Sequence, residues 1–163
     1  MSRRSRTTQP FRPQRIVSGG QTGVDRGALD AAMALGIPHG GWCPKGRLAE
    51  DGTIPPIYQL TETDSPQYAE RTERNVLDSD ATLILCRECL SGGTELTLRL
   101  AERHKRPHRV VDLSDPSPLG RLRRWLSKVC PATLNVAGPR ESQSRGIGAE
   151  ATAFLVRLFG AGG

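Results

Sequence analysis

The sequence predicts an α/β fold: a single three-layer domain with a mostly parallel sheet and helices on both faces. Three observations predict it. Strand-like and helix-like segments alternate along the chain. The strand segments are near-continuous apolar runs, the pattern of strands covered on both faces by crossover helices. Three short glycine segments, each poised to open a helix, follow strand-like runs. They are Ser18-Gly19-Gly20-Gln21-Thr22-Gly23-Val24-Asp25, Ser91-Gly92-Gly93-Thr94-Glu95-Leu96-Thr97 and Ala137-Gly138-Pro139-Arg140-Glu141-Ser142.

Each element has its own signal. Residues 1–14 are polar and basic and carry two prolines, so they read as a disordered tail ahead of a domain over 15–160. Arg15-Ile16-Val17-Ser18 is a short strand entering the first glycine turn. Val24, Ala28, Ala32 and Leu35 fall on one helical face, and Gly36 ends that helix. Residues 37–42 read as a returning strand. Gly40 to Pro56 is rich in Gly and Pro and reads as a long ordered loop, a kind that usually serves function. Tyr68, Thr72, Val76 and Leu77 mark a helix that Ser65-Pro66 opens, with Pro at the first helical position. Ala81 to Cys86 is a buried strand, Thr94 to Lys105 a helix closed by Pro107, and Arg109 to Leu113 another strand. Leu119, Leu122, Leu126 and Val129 mark the next helix, and Thr133 to Ala137 the last strand. Ile147, Ala151, Phe154, Leu155, Leu158 and Phe159 mark a strongly amphipathic final helix.

The 163 residues suit one domain with a real core, and no internal repeat divides them. No stretch approaches the roughly 20 apolar residues of a membrane span, so no membrane partner is expected. No apolar export region follows Arg3-Arg4, and a cytoplasmic location is expected. The formal charge of +6 suggests nucleic acid until it is located: Arg3, Arg4, Arg6, Arg12 and Arg15 precede every acidic residue and leave the rest of the chain at +1. Nucleic acid is therefore not expected as the partner of the folded body, although a basic tail binds polyanions non-specifically. Cys86 and Cys89 form a lone C-x-x-C, and neither Cys43, Cys130 nor the three scattered histidines complete a zinc set, so no metal site is assigned. Cys86 ends a strand instead of starting a helix, which argues against a redox pair.

The glycine turns carry the chemistry. A strand-to-helix turn aims backbone N–H groups and the positive end of a helix dipole at one spot, and three in one small sheet make an anion-lined crevice. In the first turn Gly19, Gly20 and Gly23 permit close backbone approach, with Gln21 between them. Thr22 either caps the helix or offers a hydroxyl. Asp25 and Arg26 lie in the first helical turn. Asp25 reads equally as a carboxylate favoured by the dipole or as an acceptor for a ligand hydroxyl or amine. The second turn adds Gly92, Gly93, Thr94 and Thr97. The third adds Gly138, Glu141, Ser142 and Arg140, whose guanidinium fork suits bidentate phosphate contact. In the long loop Trp42, Lys45, Arg47, Glu50 and Asp51 together resemble a lid. Trp42 reads as a core residue ahead of a base-stacking one, and Lys45 as a positioned charge on a stiff turn.

With these residues in hand, the sequence resembles the "putative molybdenum carrier" family, the circularly permuted YpsA-like branch of the SLOG superfamily. The resemblance is carried by Ser18 to Arg26, Gly41-Trp42-Cys43-Pro44-Lys45-Gly46, Gly92-Gly93-Thr94 and Asn135 to Ser142, and spans about Arg15 to Phe159. In LOG-like and DprA-like members the strand ending G-x-R-x-S comes first. Here Gly138 to Ser142 comes last, and moving the final strand and helix to the front restores the usual order. The resemblance implies a Rossmann-like sheet and a small, phosphorylated, nucleotide-like ligand, with molybdenum cofactor, itself a phosphorylated pterin, among the ligands it admits. A homo-oligomer is compatible with it. LOG-like phosphoribohydrolases use an arginine and a glutamate beside a P-G-G-x-G-T turn. Here the proline is missing and no glutamate aligns.

Three functions compete on this reading. A carrier or sensor of a phosphorylated nucleotide-like ligand fits three anion-binding turns without a clear acid–base pair. A phosphoribohydrolase or related N-glycosidase would use Asp25, Glu95 or Glu141 as acid or base, with Arg140 on the phosphate. A DprA-like DNA-binding module would use the basic tail.

Overall fold

The computed structural model describes residues 11–87, 92–115 and 118–160. In chain order the elements are β1 (Arg15–Val17), α1 (Val24–Leu35), β2 (His39–Gly40), β3 (Trp42–Cys43), β4 (Leu48–Ala49), β5 (Gly52–Thr53), β6 (Thr61–Glu62), α2 (Tyr68–Leu77), β7 (Ala81–Cys86), α3 (Gly92–Arg103), β8 (His108–Asp112), α4 (Leu119–Val129), β9 (Thr133–Ala137) and α5 (Ile147–Phe159). Five of the strands form one all-parallel sheet in the order β2-β1-β9-β7-β8. The fold is therefore the expected Rossmann-like α/β domain. No helix among the described residues is long and apolar enough to cross a membrane.

Register explains how the strand ends align. Ile16 lies opposite Leu134 and Val17 opposite Asn135, while Leu83 and Ile84 lie opposite Val136 and Ala137. All six residues of β7 are buried, as a central strand with helices on both faces requires. From β1 the chain crosses through α1 to one edge, and from β7 it crosses through α3 to the other. Right-handed crossovers in opposite directions place α1 and α3 on opposite faces. Accordingly α1, α4 and α5 share the larger core with Val24, Ala28, Leu122, Leu126, Phe154 and Leu155. On the other face α2 packs on α3 through Val76, Leu100 and Ala101. Strand β9 enters between the two diverging halves, so β1, β9 and β7 end side by side at a topological switch point.

The tightest helix contact is α1 on α5. A Cβ on Gly27 would lie 2.3 Å from the Gly148 carbonyl oxygen, and Thr152 Oγ1 donates to the Gly27 carbonyl at 2.8 Å. Gly36 adopts the left-handed conformation and caps α1, as expected.

Several local expectations need correction. The returning strand is only His39–Gly40; at Gly41 the chain turns away, and Trp42–Cys43 pairs instead with Thr61–Glu62. The long loop contains the β4–β5 hairpin, which covers a small separate cluster of Leu29, Cys43, Ala49, Ile54 and Tyr58. Pro66 is not the first helical residue. Gln67 is the N-cap, and Ser65 Oγ accepts from its N–H at 3.1 Å, so Ser65-Pro66 shapes the turn ahead of α2. Helix α3 starts at Gly92 and ends before Lys105, whose φ of +51° breaks it. The third glycine segment does not open its helix directly: a turn separates Ser142 from α5. Ser91 and Cys89 lie outside the described residues, as do residues 1–10 of the expected tail. The remainder of that tail is placed: Phe11 packs against the main core, Arg12 donates to the Leu35 carbonyl, and Gln14 N–H donates to Ala132 O at 2.9 Å.

Candidate functional site

The three glycine segments do meet. A narrow crevice of about 80 Å³ opens where β1, β9 and β7 end. Its walls come from the first turn with Gly19, Gln21 and, in α1, Asp25, from Thr94 and Thr97 in α3, and from Asn135 to Ala137 in β9 with Gly138 and Arg140 beyond it. The fourth wall, absent from the sequence expectation, is α2, with Tyr68, Arg71, Thr72 and Asn75.

Local structure sets each wall. Ser18 Oγ donates to the Val136 carbonyl at 2.6 Å and ties the end of β1 to β9. Gly23 has φ +80°, and a Cβ there would lie 2.3 Å from the Pro139 carbonyl, so only glycine lets the first turn touch the third. Asn75 accepts from Trp42 N–H at 2.8 Å and donates to Trp42 O at 3.0 Å, pinning α2 to β3. Arg87 donates to Glu150 and to the Arg145 carbonyl, bracing the turn before α5.

Two guanidiniums dominate the crevice. Arg71 is 7% exposed and donates from Nη1 to the Gly19 carbonyl at 2.6 Å. That oxygen sits where it does because Gly19 lacks a side chain: a Cβ would lie 2.4 Å from the same Nη1. The Arg140 guanidinium makes no hydrogen bond among the described residues, although its carbonyl accepts from Gln143 and Ser144 N–H. Both guanidiniums lie against the Tyr68 ring, Arg71 at 5.3 Å and Arg140 at 5.7 Å from its centroid, cation–π contacts that hold two like charges near each other. Asp25 is the crevice carboxylate. Burial pushes its pKa up, opposed by Arg71 at 4.0 Å and by a hydrogen bond from Gln21 N–H at 3.3 Å.

A second, open cleft lies on the other side of the first turn, between α1, α5 and the β4–β5 hairpin. It takes several of the expected site residues. Arg26 forms a two-pronged pair with Asp51 at 2.5 and 2.7 Å. Thr22 does not cap α1; its hydroxyl donates to Glu50 and accepts from Glu141 N–H at 3.1 Å. Ser142 donates to Glu50 from Oγ at 2.5 Å and from N–H at 3.1 Å. Burial would raise the Glu50 pKa, but the bonds from Ser142 and Thr22 outweigh it and hold it low. Glu50 and Asp51 thus latch the hairpin onto the first and third turns.

The candidate catalytic acids separate. Glu141 accepts from Gly146 N–H at 2.5 Å and Gly148 N–H at 3.1 Å, so its carboxylate caps the start of α5. Glu95 is half-buried and paired with Arg99 at 2.6 Å, one turn along α3. Only Asp25 lines the crevice. Gly20 packs towards Ile54 and Leu60 instead, Gly92 and Gly93 form the first turn of α3, and Lys45 is exposed outside the crevice. Trp42 belongs neither to the core nor to the crevice: it is half-buried, donates to Asp78 at 2.7 Å and carries Arg74 over its ring at 4.7 Å. No cluster of metal-binding side chains occurs among the described residues.

A Rossmann-like sheet with a cationic crevice at its switch point defines a small-ligand-binding α/β protein. The comparisons give the family. Residues 16–159 match the circularly permutated YpsA SLOG family, and the chain belongs to it. Among solved structures it is similar to the putative molybdenum carrier protein from Syntrophus aciditrophicus SB, at 44% identity over 94% of this chain and 98% of that one, with a TM-score of 0.88. A search of curated proteins gave no match.

Proposed function

We propose that the crevice binds the phosphate, or an equivalent oxyanion, of a small nucleotide-like ligand, and that the protein is a carrier or sensor of that ligand. One observation carries the reading: two guanidiniums, one without a hydrogen bond among the described residues, converge on Tyr68 at the meeting point of three strand ends. Helix starts of α1 and α3 add the favourable ends of their dipoles. The relative's name assigns molybdenum to that protein. Molybdenum cofactor carries a phosphate, so it is one ligand this crevice would suit.

A hydrolase needs a carboxylate free to work on the ribose or the leaving base. Glu141 is occupied in capping α5, Glu95 is paired away from the crevice, and Asp25, which lines it, is enclosed beside Arg71 and accepts from Gln21 N–H, so the geometry favours binding over turnover. Two measurements test this. Native mass spectrometry of protein purified from its own cells should show a co-purified anionic small molecule, released on denaturation. Chromatography after incubation with AMP, GMP, CMP and IMP should show no base release at about 1 per second or faster, the lower range for typical enzymes. Turnover of any of the four, lost in Asp25→Asn with folding intact, would replace the carrier reading with a hydrolase.

A further inference from the structure

Gln21 is 5% exposed and lines the crevice, yet its Nε2 has no hydrogen-bond partner among the described residues. A buried donor left unmade destabilises a fold, so such an atom calls for an explanation. The orientation of the amide is not free. Its Oε1 accepts from two backbone N–H groups, Thr22 at 3.1 Å and Glu50 at 2.9 Å. Flipping the amide would set its NH2 against both donors, so oxygen must face them and nitrogen must point away. One of those donors, Glu50 N–H, belongs to the β4–β5 hairpin, whose acids latch it to Thr22, Ser142 and Arg26. The latch therefore fixes a donor rather than merely closing a loop.

The neighbouring guanidiniums are donors as well, and Asp25, the crevice carboxylate, lies 4.0 Å from Arg71. Among the described residues the Arg140 guanidinium has no hydrogen bond, and Arg71 directs only Nη1 and Nε to protein acceptors. The free volume, about 80 Å³, holds several waters or one tetrahedral oxyanion and excludes a whole nucleotide.

Resting on the proposed anion-binding role, we infer that Gln21 is a specificity-determining residue. Its Nε2, with Arg71 and Arg140, selects a compact tetrahedral oxyanion whose facing oxygens are all hydrogen-bond acceptors. Such a group comes from two sources, a free tetraoxoanion or the terminal phosphate of a larger molecule whose remainder stays outside the crevice.

The test is calorimetry of the full chain against inorganic phosphate, sulfate, molybdate and AMP, on wild type, Gln21→Glu and Arg140→Lys. In Gln21→Glu the two backbone N–H groups keep an oxygen, and the crevice gains an acceptor in place of a donor. Sulfate carries no proton to offer that acceptor, whereas monoprotonated phosphate does. Where the wild type binds free anions, the variant should weaken sulfate at least about tenfold more than phosphate. Binding of AMP but of no free anion identifies the source as a terminal phosphate. An independent readout uses the unmodified protein: the Gln21 side-chain NH2 resonances should shift on titration with whichever probe binds. Binding with those resonances unmoved, or with sulfate and phosphate weakened equally in Gln21→Glu, overturns the role of Gln21 and leaves the anion site standing. Should Gln21→Glu not fold, the resonance titration alone decides. Wild type binding none of the four overturns both.

Discussion

Asp25 sits 4.0 Å from Arg71 and is nearly enclosed, and burial keeps its pKa above the ordinary carboxylate value. Arg140 lines the same crevice. An anion held between the two guanidiniums adds negative charge beside that carboxylate and raises its pKa further. Binding then takes up protons, and affinity rises as pH falls through the interval between the ligand-free and ligand-bound pKa values. Outside that interval Asp25 adds no slope. A phosphate monoester titrates too, near pH 6, so the contribution of Asp25 is the difference between two proteins with one ligand. Calorimetry of AMP binding in two buffers of different ionisation enthalpy should show greater proton uptake by wild type than by Asp25→Asn. Equal uptake would place the anion away from Asp25. That Gly19, Gln21, Thr94, Thr97, Gly138 and Arg140 share one crevice was legible because strand-to-helix turns announce themselves in sequence. Arg71 and Tyr68 were not. They lie within α2, where an arginine reads as solvated surface and a tyrosine as core. Only the packing of α2 over the strand ends turns that face inward, burying Arg71 and Asn75 beside Val76. Glu141 shows the converse: its position before a helix start was visible, but that it caps the backbone depends on the turn between Ser142 and α5.

Among the elements, the α1–α5 pair sets the distance between the first and third turns. Gly27 and Gly148 let the helices touch backbone to backbone, and Thr152 bonds across the contact. Gly27→Ala would place a methyl 2.3 Å from a carbonyl that has nowhere to move except with its helix. Overpacking of this kind costs about 1–3 kcal/mol, more than the gain in helix propensity from Gly to Ala, about 1 kcal/mol. Chemical denaturation should therefore show a net loss of stability. Calorimetry should also show weaker AMP binding, because Gly23 and Pro139 separate as the helices do. A stabilised Gly27→Ala protein would mean that the two helices adjust freely. Helices α1, α4 and α5 and strands β7 and β9 were legible because each writes a long apolar period into the chain. The two-residue strands β3 to β6 were not, since two residues carry no period. Their pairing follows from the turn at Gly41 and from the hairpin packing over Leu29 and Ile54.

On the scale of the whole molecule, the net charge of +6 and the crevice belong to different parts of the chain. Sequence-independent binding of single-stranded DNA needs a cationic groove with aromatic side chains on which bases stack. The seven aromatic residues are already engaged. Phe154, Phe159 and Tyr58 are buried, Phe11 and Trp125 pack on the main core, Trp42 lies under Arg74, and Tyr68 lies under Arg71 and Arg140. Arg12 donates to the end of α1, which leaves Arg3, Arg4 and Arg6 as the cations of the tail beyond the described residues. Any affinity for DNA should therefore reside in residues 1–10 and be electrostatic. The truncation should stop there, because Phe11 and Gln14 contribute to the fold. Removing three arginines should lower the slope of log K against log salt by about 2, at roughly 0.7 per phosphate contact on single strands. Fluorescence anisotropy with a labelled oligonucleotide at several salt concentrations measures that slope. Calorimetry with AMP on the same truncated protein should give the affinity of the full chain. Tight, salt-sensitive DNA binding that survives the truncation would mean that the folded body carries a nucleic-acid face. The crevice would then have to be reconsidered as a site for a strand's phosphate.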